Sequence, residues 1–105
     1  MFGTVARMRL KPGGEQMLMA WSRALMGNIK GHVSSTVYRS TTDPLVMWLT
    51  VVFEDEASYR ANAESPEQHR RWQQMRSVLE ADPDWFDGHV LMHGTPNQSY
   101  VAPSH

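Results

Sequence analysis

The sequence predicts an α+β fold of the ferredoxin-like type. The order is strand, helix, strand, strand, helix, strand, giving a four-stranded antiparallel sheet with both helices on one face. Three patterns carry this expectation. Phe2 to Leu10 alternates with period two. Two segments carry apolar residues at helical spacing. Two β-rich runs flank the turn Thr41-Thr42-Asp43-Pro44.

In the first strand Phe2, Thr4, Ala6, Met8 and Leu10 point one way, and Gly3, Val5, Arg7 and Arg9 the other. Lys11-Pro12-Gly13-Gly14 ends it and opens a helix. The stripe of that helix is Met17, Leu18, Trp21, Ala24 and Leu25, and Gly27-Asn28 is its stop. Val33 to Arg39 and Leu45 to Phe53 are the second and third strands, paired as an antiparallel hairpin. Asp55 to Ala63 reads as a short helix. Ser65, Pro66 and Gln68 then supply the cap, first residue and capping-box position of a longer one. There Gln68, Trp72, Met75 and Leu79 form the inward stripe, and Asp82-Pro83-Asp84 ends it. Trp85 to His93 is the fourth strand. The domain spans 1–94, and residues 95–105 are a tail that is ordered only if it docks.

The third strand is apolar on both faces, whereas the helices cover only one. The other face should meet a second sheet, which in a homodimer is the partner's own. The expected interface is the face bearing Val5, Arg7, Val51 and Phe53, with Arg7 and Arg9 paired to acidic groups across it.

Composition narrows the function. The chain has 105 residues, 41% hydrophobic and 20% charged, which suits one globular domain. It has no cysteine, so thiolate metal sites and thiol catalysis are excluded, and a reducing cytoplasm is the expected setting. Ten Lys and Arg against eleven Asp and Glu leave no basic surplus for nucleic acid, and no apolar run reaches membrane-spanning length. The beginning of the chain lacks the apolar core of a signal peptide. Eight Met and four Trp suit an irregular core, and equally a pocket for a flat organic molecule.

Strand one with Lys11-Pro12-Gly13, then Trp48-Leu49-Thr50-Val51-Val52-Phe53 running into Glu54-Asp55-Glu56-Ala57-Ser58-Tyr59, and Ser65-Pro66 before a long helix, resemble the antibiotic biosynthesis monooxygenase (ABM) family of dimeric α/β barrels. The resemblance covers about residues 2 to 93. It implies a pocket in each subunit between helices and sheet, and a cofactor-independent monooxygenase acting with dioxygen on a small aromatic or polyketide-like substrate. It requires neither metal nor flavin. Haem-degrading and anthrone-oxidising members typically carry an Asn before the strand-one Arg; Arg7 matches the Arg, but Ala6 stands at the Asn position. The Trp and His of the haem degraders fall on Asn62 and Trp72, so haem degradation is not expected. A catalytically silent barrel that binds a small molecule is the alternative.

Each candidate has a plain reading beside its functional one. Asn62 can hold a substrate oxygen or satisfy backbone near the helix break. His69 can act as a general base or sit on a solvated face with Arg70 and Arg71. Tyr38 can donate to an oxyanion or cover the sheet edge. Trp72, Met75, Trp21, Ala6 and Met8 are the inward positions and should line any pocket, yet core packing alone justifies them. His89 and His93 lie about 13 Å apart on an extended strand and cannot share one metal. Asp87 and His89, two residues apart on one face, can form a base and its orienter.

Overall fold

The computed structural model describes residues 1–25 and 29–103. The helix stop expected at Gly27-Asn28 lies outside the described residues. The alternation of the first segment produces β1 (Phe2–Arg9), with Phe2, Ala6 and Met8 buried and Val5, Arg7 and Arg9 exposed. A turn through Gly13, at φ +85°, leads into α1 (Glu15–Leu25). That backbone conformation admits glycine at little cost and other residues with strain. β2 (His32–Arg39) and β3 (Val46–Phe53) form the expected hairpin.

Two helices follow in succession. α2 (Glu56–Ala63) is capped by the Asp55 carboxylate, which accepts from the Ser58 amide at 2.7 Å. α3 (Pro66–Arg76) is capped by Ser65, whose hydroxyl accepts from the Gln68 amide at 3.1 Å. α3 ends at Arg76, earlier than Asp82-Pro83-Asp84. The chain there leaves the helix to bond the end of β1: Lys11 N donates to Val78 O at 2.7 Å and Glu80 N to Arg9 O at 3.0 Å. Burial of Leu79 against Leu10 through this strand-like bridge replaces the last helical turn.

β4 (Asp84–His89) completes an antiparallel sheet of order β2-β3-β1-β4. The strand expected to reach His93 stops at His89. A separate hairpin, β5 (Met92–Thr95) with β6 (Gln98–Val101), follows it across the expected tail boundary. His89 and His93 therefore stand on different strands.

Register corrects the expected interface. Phe53 lies opposite Phe2 and Val51 opposite Thr4, so both face the helices, and both are buried. Val5 and Arg7 do stand on the open face, with Thr50, Val52, Trp48 and Phe86, the last 62% exposed. Arg9 also departs from expectation: it pairs within the chain with Asp43 and Glu80, and so ties the β2–β3 turn to the segment after α3.

The core occupies one half of the space between helices and sheet, where Met8, Leu10, Met47, Met75 and Leu79 are almost wholly buried. At the other half α2 rests on the loop before β2. Gly31 stands there at φ +83°, and its carbonyl accepts from Glu54 N at 2.7 Å. A Cβ at Gly31 would lie 2.5 Å from the Ser58 side chain.

Candidate functional site

Over the half of the sheet left open by the core lies a cavity of about 430 Å³. Its floor is three strands wide: Thr4 of β1, with Val51 of β3 and Asp87 of β4 beside it in register. Trp21 of α1, Trp72 of α3, Trp85 of β4 and Phe53 of β3 supply aromatic walls. Trp72 and Trp85 meet edge to face, their ring centroids 6.0 Å apart. Tyr59 and Asn62, three residues apart on α2, share one helix face and both line the cavity. Gln68 and His69 come from the first turn of α3, and His32 from the start of β2.

The polar groups are few. The Tyr59 phenol donates to Asp87 Oδ1 at 3.0 Å. Burial, and then this carboxylate, push the phenol above its ordinary pKa, so it stays a neutral donor. Burial lowers the pKa of His32, which keeps its imidazole neutral near pH 7; Nε2 lies 2.7 Å from Ser35 Oγ. The His32 ring meets Phe53 edge-on at 5.7 Å. Two buried polar atoms on the lining, Thr4 Oγ1 and Trp21 Nε1, have no hydrogen-bond partner among the described residues. Thr4 lies close enough to the Tyr59 phenol to temper the rise in its pKa, but forms no hydrogen bond to it. A buried polar group left unpaired costs about 1–3 kcal/mol. The arrangement can clasp a flat apolar molecule, offer it donors, and receive a proton on a neutral imidazole.

The sequence profile of the family described as antibiotic biosynthesis monooxygenase matches residues 1–75. The chain belongs to the ABM family. Solved structures share the fold of this ABM protein. A conserved protein from Methanosarcina mazei Go1 is 18% identical, with a TM-score of 0.72 over 83% of this chain and 89% of that one. A protein from Chloroflexus aurantiacus assigned to the antibiotic biosynthesis monooxygenases is 23% identical, with a TM-score of 0.69 over 89% and 96% of the two chains. SnoaB, a cofactor-independent oxygenase from Streptomyces nogalater, solved as an Asn-to-Ala variant, is 16% identical, with a TM-score of 0.69 over 81% and 89%. At such identities the likeness is one of fold. No curated protein matches the chain by sequence.

Within this ABM fold, the structure brings Trp21, Trp72, Asn62 and His69 to one cavity. Ala6, Met8 and Met75 are not on its lining. They lie at 0%, 2% and 0% exposure in the packed half, because the open space begins one strand step earlier, at Thr4. Tyr38 stands opposite Trp48 on the far face of the sheet, 54% exposed, with the sheet between it and the cavity. Asp87 pairs with Tyr59 and not with His89, whose ring packs edge-on against Phe2 at 5.2 Å. His32 and Tyr59 carry no sequence motif of their own. The signal for Tyr59 was its place three residues before Asn62. Only the bend of the chain at Gly31 brings His32 in.

Proposed function

We propose that this ABM protein is a cofactor-independent monooxygenase that oxidises a small, flat aromatic substrate of polyketide type with dioxygen. What supports this is the cavity itself: three indoles and a phenyl ring around a few polar groups, with a neutral imidazole among them. An acidic ring CH₂ of the substrate gives its proton to His32. Asp87, oriented by Tyr59, accepts a substrate hydroxyl, while Asn62 and His69 offer polar groups at the rim toward the anion. The anion passes one electron to dioxygen, and the two radicals join as a peroxide at the ring carbon. Loss of the second hydrogen with water leaves a carbonyl. One oxygen atom enters the product and the other leaves as water, so R₂CH₂ and O₂ give R₂C=O and H₂O.

The open sheet face supports a homodimer, since Phe86, Val5, Trp48 and Val52 are apolar and have no helix over them. A cysteine-free chain fits a reducing cytoplasm, and no helix among the described residues is long and apolar enough to cross a membrane.

Oxygen uptake with anthrone- and hydroquinone-type substrates tests the proposal, using the parent and His32→Gln, Asn62→Ala and His69→Ala. Uptake that falls by two or more orders of magnitude in His32→Gln is the expected result. Failure of the parent to consume oxygen with every such substrate favours the second reading, a catalytically silent dimeric barrel that binds a small molecule. Ala6 favours that reading, because the position at which related oxygenases carry an amide holds a fully buried methyl group.

A further inference from the structure

Thr4 and Trp21 are 6% and 7% exposed, and each presents a hydrogen-bonding atom without a partner among the described residues. Both line the one cavity that also holds the Tyr59–Asp87 pair. The third such atom, Ser22 Oγ, lies on α1 outside the lining. Packing accounts for the bulk of Trp21 but not for its N–H, and a Val in place of Thr4 would fill the same space without an orphaned dipole. Their chemistry is directional. An indole N–H can only donate, a hydroxyl can donate or accept, and an ionised carboxylate can only accept. The two vacant groups are buried, whereas Asp87 is exposed.

We infer that Trp21 and Thr4 are specificity-determining residues that orient the ligand, drawing an aromatic carbonyl compound into the cavity with its carbonyl oxygen toward the Trp21 N–H and the Thr4 hydroxyl. A hydroxyl on the ligand edge beside that carbonyl then reaches the carboxylate of Asp87, the cross-strand neighbour of Thr4. This rests on the reading of the cavity as the ligand site, but it requires no turnover. The discrimination is against compounds of the same shape that lack the acceptor, which leave a buried donor unmet in the complex.

The test is binding of two stable probes by equilibrium dialysis: 5-hydroxy-1,4-naphthoquinone, which carries carbonyl and hydroxyl, and 1-naphthol, which carries the hydroxyl alone. The parent is expected to bind the quinone more tightly. Trp21→Phe and Thr4→Val should each weaken the quinone about tenfold, the size of one hydrogen bond, and change 1-naphthol less than twofold. Thr4→Val carries a second readout: with an orphaned hydroxyl replaced by a methyl, the ligand-free thermal midpoint should hold or rise. Equal losses for both probes, quinone affinity unchanged in both variants, a lowered midpoint for Thr4→Val, or no binding of either probe to the parent would each overturn the inference. Selective binding without oxygen uptake would leave it standing and remove the oxygenase reading alone.

Discussion

The Tyr59 hydroxyl donates to the Asp87 carboxylate at 3.0 Å and so joins helix α2 to the edge strand β4. β4 is exposed along its length and is held by ladder bonds to β1 on one side only. A side-chain tie from the helix layer therefore does for this strand what a second neighbour would do for a central one. It also leaves the carboxylate held in a fixed direction beside the cavity.

Replacing Tyr59 with Phe removes the tie. Unfolding by urea near pH 8 should show a loss of about 0.5–1.5 kcal/mol. Because the folded protein holds this phenolic proton more tightly than the unfolded chain, the contribution is whole below about pH 10 and is lost as pH rises through the raised folded value. The gap between parent and Tyr59→Phe should therefore narrow as pH rises above about 10.

His32 gives the opposite slope. Burial lowers its folded pKa, so the unfolded chain takes up the proton first and stability declines as pH falls below about 6.5 toward the folded value. His32→Asn should flatten urea midpoints measured from pH 7.5 to 5. Oxygen uptake by the parent should fall along an acid limb below that region, as the folded imidazole takes up its proton.

Met75 and Trp72, one turn apart on α3, separate packing from binding. Met75 is fully buried, and Met75→Ala should cost about 2–5 kcal/mol. Probe affinity per folded molecule should stay unchanged. Trp72→Leu should keep most of the stability and lose about 0.5–1.5 kcal/mol of aromatic binding. Paired denaturation and dialysis curves check both.

Sedimentation velocity should find a particle of twice the 12.0 kDa chain mass at micromolar concentration. Phe86→Asp should shift it to monomer by placing a charge in an apolar interface. A parent that stays monomeric would remove the homodimer from the proposal.

Elements governed by period or cap chemistry were legible in the sequence. β1, the β2–β3 hairpin and the Ser65 cap stand where their residues direct, and the short helix begins one residue later than expected because Asp55 caps it. Which face of β3 turns inward was not legible, because Trp48 and Val52 are as apolar as Val51 and Phe53, and only the pairing with β1 decides. The end of α3 was misplaced for a related reason: main-chain bonds to β1 outcompete another helical turn, and no side-chain pattern announces them. At the site, helical spacing located Trp21, Trp72 and Asn62. Alternation could name the inward side of β1 but not the residue at which packing stops and open space begins. The same ambiguity of faces applies to Tyr38, which stands with Trp48 on the side of the sheet away from the cavity. His32 and the Tyr59–Asp87 pair depend on contacts between residues far apart in the chain, which local pattern does not encode.

Gly31 gives the fold a gauge. Ser58 already fills the place of a Cβ there, so α2 is seated directly on main chain with no side chain between. Any larger residue would act as a shim, lifting the helix that carries Tyr59 and Asn62 while β4 stays with the sheet. Cavity width is thus set by a residue outside the cavity lining. A lineage that needed room for a bulkier molecule could obtain it at position 31 with every lining residue unchanged, at the expense of the Tyr59–Asp87 tie. Two such proteins could carry the same site residues and hold molecules of different size.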